Sequence, residues 1–255
     1  IKYQIAAEQA KNDSSLYKKT VLQLFEQYPG HPKIGKSAGD IFFNKESYAS
    51  AFNAYKSAYR EEKSDFKIIN NLLLSAERIC DYQSTEQYAD TALMYMPNRA
   101  ELYLFSGTGA LYTKNFSKAR EMFETGLAYV FDERLNNRFS YYQALLLYAQ
   151  EDFKKTVDLL RKIGNDPVMG TKAEALKLLS KSEINGEYTD ALNRINALKS
   201  ELSDHAFCKF KVVLLYKAQG KEKALRFIEE CGLTKNACGS RLSEQLEQNV
   251  TIPIP

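Results

Sequence analysis

The 255-residue sequence predicts an all-α chain, a right-handed superhelical α-solenoid of about six to seven antiparallel helix-turn-helix repeats. Three observations predict it. Glycine and proline, which end helices and build turns, are scarce, at 12 and 6 residues. Apolar residues make up 44% of the chain and recur three and four positions apart, as on one face of a helix. The pattern also repeats. Ala38, Gly39, Phe42, Tyr48, Ala51, Tyr55 and Ala58 return 68 residues later as Ser106, Gly107, Ala110, Phe116, Ala119, Phe123 and Gly126. Half of 68 is 34, and a copy at that shift is present between them. One hairpin cannot bury its own apolar face, so such units must stack.

The units follow one another along the chain, with the solenoid expected over residues 1–238. The first, 1–31, holds Ile5, Ala6, Ala7 and Ala10 on one helix and Tyr17, Thr20 and Leu24 on the next, with Pro29 after it. The second, 32–65, and the fourth, 100–136, are the copies quoted above. Between them, 66–99 carries Leu72-Leu73 in place of the small pair, then Tyr82, Thr85, Ala89, Ala92 and Pro97. In 137–171 the second helix is marked by Phe153, Thr156, Leu160 and Ile163. Its three-residue insertion is expected to lengthen the helix near Phe131–Tyr142. Residues 172–204 hold Gly186, Tyr188, Ala191, Ile195 and Leu198, and 205–238 hold Tyr216, Gly220, Ala224, Ile228 and Cys231. A short helix and tail are expected over 239–255. Asn44, Asn115, Glu151-Asp152, Gly186 and Gly220 mark the turns, being residue types that suit helix caps and ends. Small residues such as Gly39, Ala51, Gly107 and Ala119 let helices approach, with aromatics filling the space beside them.

Charge and motif content narrow the function. Lys and Arg number 35 and Asp and Glu 32, leaving a formal +3, which gives no basis for a nucleic-acid binder. No apolar run approaches the roughly 20 residues that span a bilayer. Only two histidines occur, His31 and His205, and there is no zinc-protease helix, phosphate loop or Gly-x-Ser-x-Gly elbow. Ser106-Gly107-Thr108-Gly109 looks like a phosphate cradle but falls inside a repeat helix, where close packing explains it. No enzyme, no cofactor and no metal site is expected.

These residues resemble the tetratricopeptide repeat family, over roughly residues 5 to 235, with Phe42–Ala58, Ala110–Gly126 and the Gly220-Lys221-Glu222-Lys223-Ala224-Leu225 turn carrying the likeness. The resemblance implies a protein-binding groove lined by the first helix of each hairpin. The family's carboxylate-clamping mode fits poorly. Lys36 and Asn71 match its residue types, but Asp40, Glu101 and Phe105 stand where Asn, Lys and Arg are expected. The run Leu24–Pro32, followed by a new repeat, also resembles bacterial envelope repeat proteins, including the lipoprotein of the outer-membrane β-barrel assembly machinery.

The repeat register places Lys36, Asp40 and Phe43, then Asn70, Leu74 and Glu77, on the groove side of the first half. Further on it places Leu104, Thr108, Leu111, Tyr112, Tyr141, Leu145, Tyr148, Leu176, Phe207 and Phe210, an apolar and aromatic strip expected to hold a protein or peptide partner. Burial of that strip by the chain itself is the alternative. Cys231 and Cys238 bracket a turn and suit a disulfide in an oxidising compartment, ordinary thiols being the other outcome. Ile1 is not an initiator methionine, so a processed chain is expected. A preceding anchor would allow peripheral membrane association, in the periplasm or at the outer membrane, with the cytoplasm as alternative. The functional expectation is a non-enzymatic scaffold or adaptor in a bacterial envelope assembly or secretion complex, the alternative a regulatory receptor sensing a peptide or small signal molecule. The register also makes a stability prediction. Ala119→Arg places a charge in a tight helix contact and is expected to destabilise by roughly 3 kcal/mol, measured by chemical denaturation. An unchanged midpoint would show the register wrong there.

Overall fold

Helix starts and stops are written locally. Asp13, Asp65, Asp81, Asn115, Asp132 and Asp152 each accept a hydrogen bond from backbone N–H groups two or three residues on, and Pro32 opens a helix at its first position. A computed structural model describes residues 13–163, 166–167, 169–232 and 237–248. Among the described residues there are fourteen α-helices and no strand. The helix expected around Ile5–Ala10 and the end of the tail lie outside them.

The chain forms two compact units, Ile1–Thr113 and Lys114–Pro255. The first contains α1 (Ser14–Gln27), α2 (Pro32–Asn44), α3 (Tyr48–Tyr59), α4 (Phe66–Arg78), α5 (Tyr82–Leu93) and α6 (Ala100–Tyr112). The second contains α7 (Phe116–Leu127), α8 (Glu133–Ala149), α9 (Phe153–Leu160), α10 (Gly170–Asn185), α11 (Tyr188–Ala197), α12 (Asp204–Gln219), α13 (Lys221–Glu230) and α14 (Ala237–Glu247). Within each unit consecutive helices pack against one another. Helix α8, where the insertion falls, runs 17 residues, against 13 in each of α2, α4 and α6.

The turns joining α2 to α3, α4 to α5 and α8 to α9 share one backbone device. The N–H of Glu46, Cys80 and Glu151 donates to the carbonyl three residues back. The N–H of Ser47, Asp81 and Asp152 donates to the carbonyl five residues back, at 2.9, 2.9 and 3.0 Å. These paired bonds close a helix C-terminus when the residue after the cap is left-handed. The left-handed position recurs along the chain as Glu46, Cys80, Lys114, Glu151, Gly186 and Gly220, with φ of 57, 55, 65, 64, 78 and 90°. Only the last two are glycine, so sequence markers found the turns without finding the residue that bends them. In two of these turns the next residue, Asp81 or Asp152, caps the following helix, so one dipeptide ends a helix and starts its partner.

Packing explains the small residues. Ala38, Ala51, Ala89, Ala92 and Ala119 are fully buried, as is Leu72-Leu73 in the copy that lacks the small pair. In the first unit a core of Ala51, Tyr55, Ala58, Leu72, Leu73, Leu102 and Phe105 runs through successive hairpins. Three glycines, Gly35, Gly39 and Gly109, set the helix spacing. A β-carbon on Gly39 would lie 2.7 Å from the Tyr55 ring, and one on Gly109 would lie 2.7 Å from the Glu86 backbone nitrogen and 2.8 Å from the Tyr82 carbonyl oxygen. Gly109 thus packs α6 against the first turn of α5. Ser106 Oγ donates to Asp90 at 2.6 Å and Thr108 Oγ1 to the Leu104 carbonyl at 2.7 Å, inside the same helix.

A paired substitution tests this spacing. Gly109→Ala gains helix propensity, but the new methyl meets backbone, which cannot swing away. It is expected to destabilise by about 1–3 kcal/mol in urea unfolding. Gly30→Ala, with nothing within 4 Å, is expected to stay within about 0.5 kcal/mol of wild type. Equal effects would contradict the packing account.

Candidate functional site

The apolar strip expected to bind a partner is not an open surface. Leu104, Thr108, Leu111, Tyr141, Leu145, Tyr148, Leu176, Phe207 and Phe210 are all buried, none more than 7% exposed. Tyr112 is half-buried, its ring stacked on Tyr82 at 3.9 Å. Tyr148 lies against Phe153 at 5.6 Å and Tyr141 against Tyr142 at 5.4 Å. The repeat register identifies which helix side these residues occupy, and large side chains on that side lean onto neighbouring helices and close it.

The first half of the same register stays open. Lys36, Asp40 and Phe43 on α2, with Asn70, Asn71, Leu74 and Glu77 on α4, are half-buried. They form one polar row within the first unit. Lys36 Nζ donates to Asp65 at 2.5 Å. Tyr55, reaching from α3, donates its hydroxyl to Asp40 at 2.6 Å and accepts from Asn71 Nδ2 at 3.0 Å. Lys67 lies 3.5 Å from the other oxygen of Asp40. Asp65 also caps α4, accepting from the Lys67 and Ile68 amides at 2.9 and 3.2 Å. The repeat register assigns Lys36, Asp40 and Asn70 to this face and the clamp comparison singles out Asn71, but neither points to Asp65 or Tyr55, which bond to Lys36, Asp40 and Asn71. Asp65 was legible as the acidic residue just before the apolar-periodic segment Phe66–Leu74, where a cap belongs.

Electrostatics fix the charge states along the row. Burial pushes the Asp65 carboxyl up, but the Lys36 hydrogen bond and charge and the two amide donors together outweigh it and hold it below the usual carboxylate value. The hydrogen bond to Asp65 raises Lys36 above the ordinary lysine value, against a smaller desolvation effect. Burial, then the hydrogen bond to Asp40, raises the Tyr55 hydroxyl, so it stays a neutral donor. The row therefore offers amides, a fixed ion pair and a locked tyrosine, with Phe43 and Leu74 as apolar neighbours. Half-buried amides can hydrogen-bond a ligand, and the apolar neighbours can add contact area.

The second unit carries two other polar features. Glu183 on α10 accepts from the Tyr188 hydroxyl at 2.9 Å and Lys217 Nζ at 3.1 Å, and is buried. Tyr148, Glu183 and Lys217 stand 35 and 34 residues apart, near the ends of α8, α10 and α12, one per repeat. Burial, the hydrogen bond to Glu183 and its charge push Tyr188 up to about 12. Burial also pushes Tyr148 well above the ordinary tyrosine value, with smaller contributions from Glu183 and Tyr188. Separately, a polar cleft of about 670 Å³ is lined by Arg161, Thr171, Glu174, Lys177 and Glu201, among others. Three of its charged residues are in ion pairs, Glu174 with Lys177 and Arg194, and Arg161 with Asp158.

The cysteine expectation needs correcting. Cys231 is bonded to Cys208, with Cα atoms 6.3 Å apart, and not to Cys238. The α12–α13 hairpin turns at Gly220, so residues twelve before and eleven after it lie side by side.

Comparisons with known proteins identify the fold. No sequence-family model and no curated protein matches the chain. Among solved structures, a tetratricopeptide repeat protein from Parabacteroides merdae is similar, with TM-score 0.66 and 13% identity over 100% of this chain and 99% of that one. Cut9–Hcn1, an APC/C hetero-tetramer, is similar with TM-score 0.59 and 10% identity, over 96% of this chain and 52% of that one. The fold is that of tetratricopeptide repeat proteins. At these identities the likeness concerns fold alone.

The ion pair of the row has a pH signature. A depressed folded pKa means that the Asp65 contribution is present above the ordinary value of 3.8 and is lost as pH falls through the lower folded value. Lys36, raised, keeps its contribution below 10.5 and loses it only above. Asp65→Asn, which retains a cap acceptor, is expected to cost about 0.5–1 kcal/mol at neutral pH. In urea unfolding the difference should shrink at strongly acidic pH, and a pH-independent difference would show that the pair is not its source.

Proposed function

We propose that the chain is a non-enzymatic scaffold or adaptor that holds an extended segment of a partner protein on the α2–α4 face of its first unit, within a bacterial envelope assembly or secretion complex. The half-open row from Lys36 through Asp40, Asn70 and Asn71 to Glu77 carries this reading. An extended peptide exposes N–H and carbonyl groups along its length, and asparagine amides can pair with both at once. Phe43 and Leu74 supply apolar contact on the same face. Charges of both signs, already paired with each other, favour a partner without a large net charge. Cut9, which shares the fold, is found assembled with Hcn1. The envelope setting draws on the Leu24–Pro32 run and its likeness to envelope repeat proteins.

Peptides selected from a random display library on the full chain would test it by fluorescence anisotropy. An Asn70→Ala/Leu74→Ala variant with wild-type melting temperature is expected to bind them about tenfold more weakly. Unchanged affinity, or a library that yields no binder, would overturn the α2–α4 assignment.

A further inference from the structure

The C-terminal hairpin carries chemistry that partner binding on α2 and α4 does not use. Cys208 sits within α12, buried at 7% exposure, and Cys231 follows the end of α13, half-buried. The two are bonded across a sequence separation of 23 residues. The bond ties these helices at the end away from Gly220, whose glycine conformation (φ 90°) makes the turn. Beside the bond, a cation–ring contact also joins the two helices. Lys211 of α12 lies over the Phe207 and Phe227 rings at 5.3 and 4.6 Å, and Lys199 lies over Phe207 at 5.7 Å. Among the described residues neither lysine has a carboxylate within 4.0 Å. The Phe207–Phe227 arrangement thus depends on α12 and α13 staying side by side.

We propose that Cys208 and Cys231 are a site of oxidative modification, so that the chain matures and works in an oxidising compartment with its last hairpin covalently closed. Disulfides persist outside the reducing cytosol and are rare within it. The step is ordinary thiol–disulfide exchange with the disulfide of a protein oxidant, a thiol–disulfide oxidoreductase. One cysteine loses its proton, and its thiolate attacks the oxidant's disulfide, releasing one oxidant thiolate and leaving a mixed disulfide. The other cysteine, also deprotonated, attacks the protein sulfur of that mixed disulfide and expels the second oxidant thiolate. The Cys208–Cys231 bond has formed, the oxidant's bond has broken, and the two electrons and two protons end on the oxidant's thiols. The buried Cys208 side of the bond shields it from exchange, as a structural tie requires. This inference goes beyond the scaffold reading and is independent of it, since a peptide can bind α2 and α4 whichever way the cysteines stand.

The full chain, taken from the cells that naturally make it and quenched with an alkylating reagent at lysis, tests the proposal by non-reducing peptide mapping. Cys208 and Cys231 are expected to stay unalkylated until reduced, with their two peptides linked to each other. Alkylation of both before reduction, or linkage of Cys231 to a different cysteine, would overturn it. The structural role has its own readout. In the Cys208→Ser/Cys231→Ser variant, amide exchange in α12 and α13 is expected to speed up about tenfold, with α2 to α6 unchanged. Exchange at the wild-type rate in α12 and α13 would show that the bond ties nothing.

Discussion

The structure depends on how closely its helices approach. Side chains at Gly39 and Gly109 would intrude to 2.7 Å on a tyrosine ring or a backbone nitrogen, so at these points glycine is the only residue that fits the spacing. Close approach lets the aromatic and leucine side chains beside the glycines fill every gap. Tyr55, Leu72, Leu73 and Phe105 are then nearly or fully excluded from water. The same spacing presents the polar row proposed to bind a partner, because Tyr55 can reach Asp40 and Asn71 only while α2, α3 and α4 stay in register. Tyr55 therefore belongs both to the packed core and to the polar row.

A second constraint acts on the backbone. Among the described residues, six hairpin turns bend through one residue of positive φ, and four of the six are not glycine. For such residues the left-handed conformation costs about 1 kcal/mol, offset at Glu46, Cys80 and Glu151 by the paired carbonyl bonds and, after Cys80 and Glu151, by the aspartate cap that follows. The turn is thus specified by a hydrogen-bonding pattern more than by a residue type. That is why the period survives where glycine does not.

Much of the fold was legible in the sequence because small and aromatic residues recur at a fixed spacing, and spacing is what helices respond to. The site was legible only in part. The register assigns Lys36, Asp40, Phe43, Asn70, Leu74 and Glu77 to one face but could not say which stretches of that face remain open. Openness depends on side-chain size and lean. Leu104, Tyr148 and Phe210 close their stretches, whereas the polar residues of α2 and α4 stay half-buried in a hydrogen-bonded row. Cys231 shows the same limit, since its nearest cysteine in sequence lies beyond a turn and its bonded partner stands across the hairpin.

A scaffold that grips an extended segment on its first unit should respond to that segment in one place. Hydrogen–deuterium exchange of the full chain with and without a bound peptide measures this directly. Slower exchange in α2 and α4, with α8, α10 and α12 unchanged, is the predicted result. Protection gained along α8, α10 and α12 while α2 and α4 stay as they were would contradict it, and would return the binding surface to the residues that the fold buries.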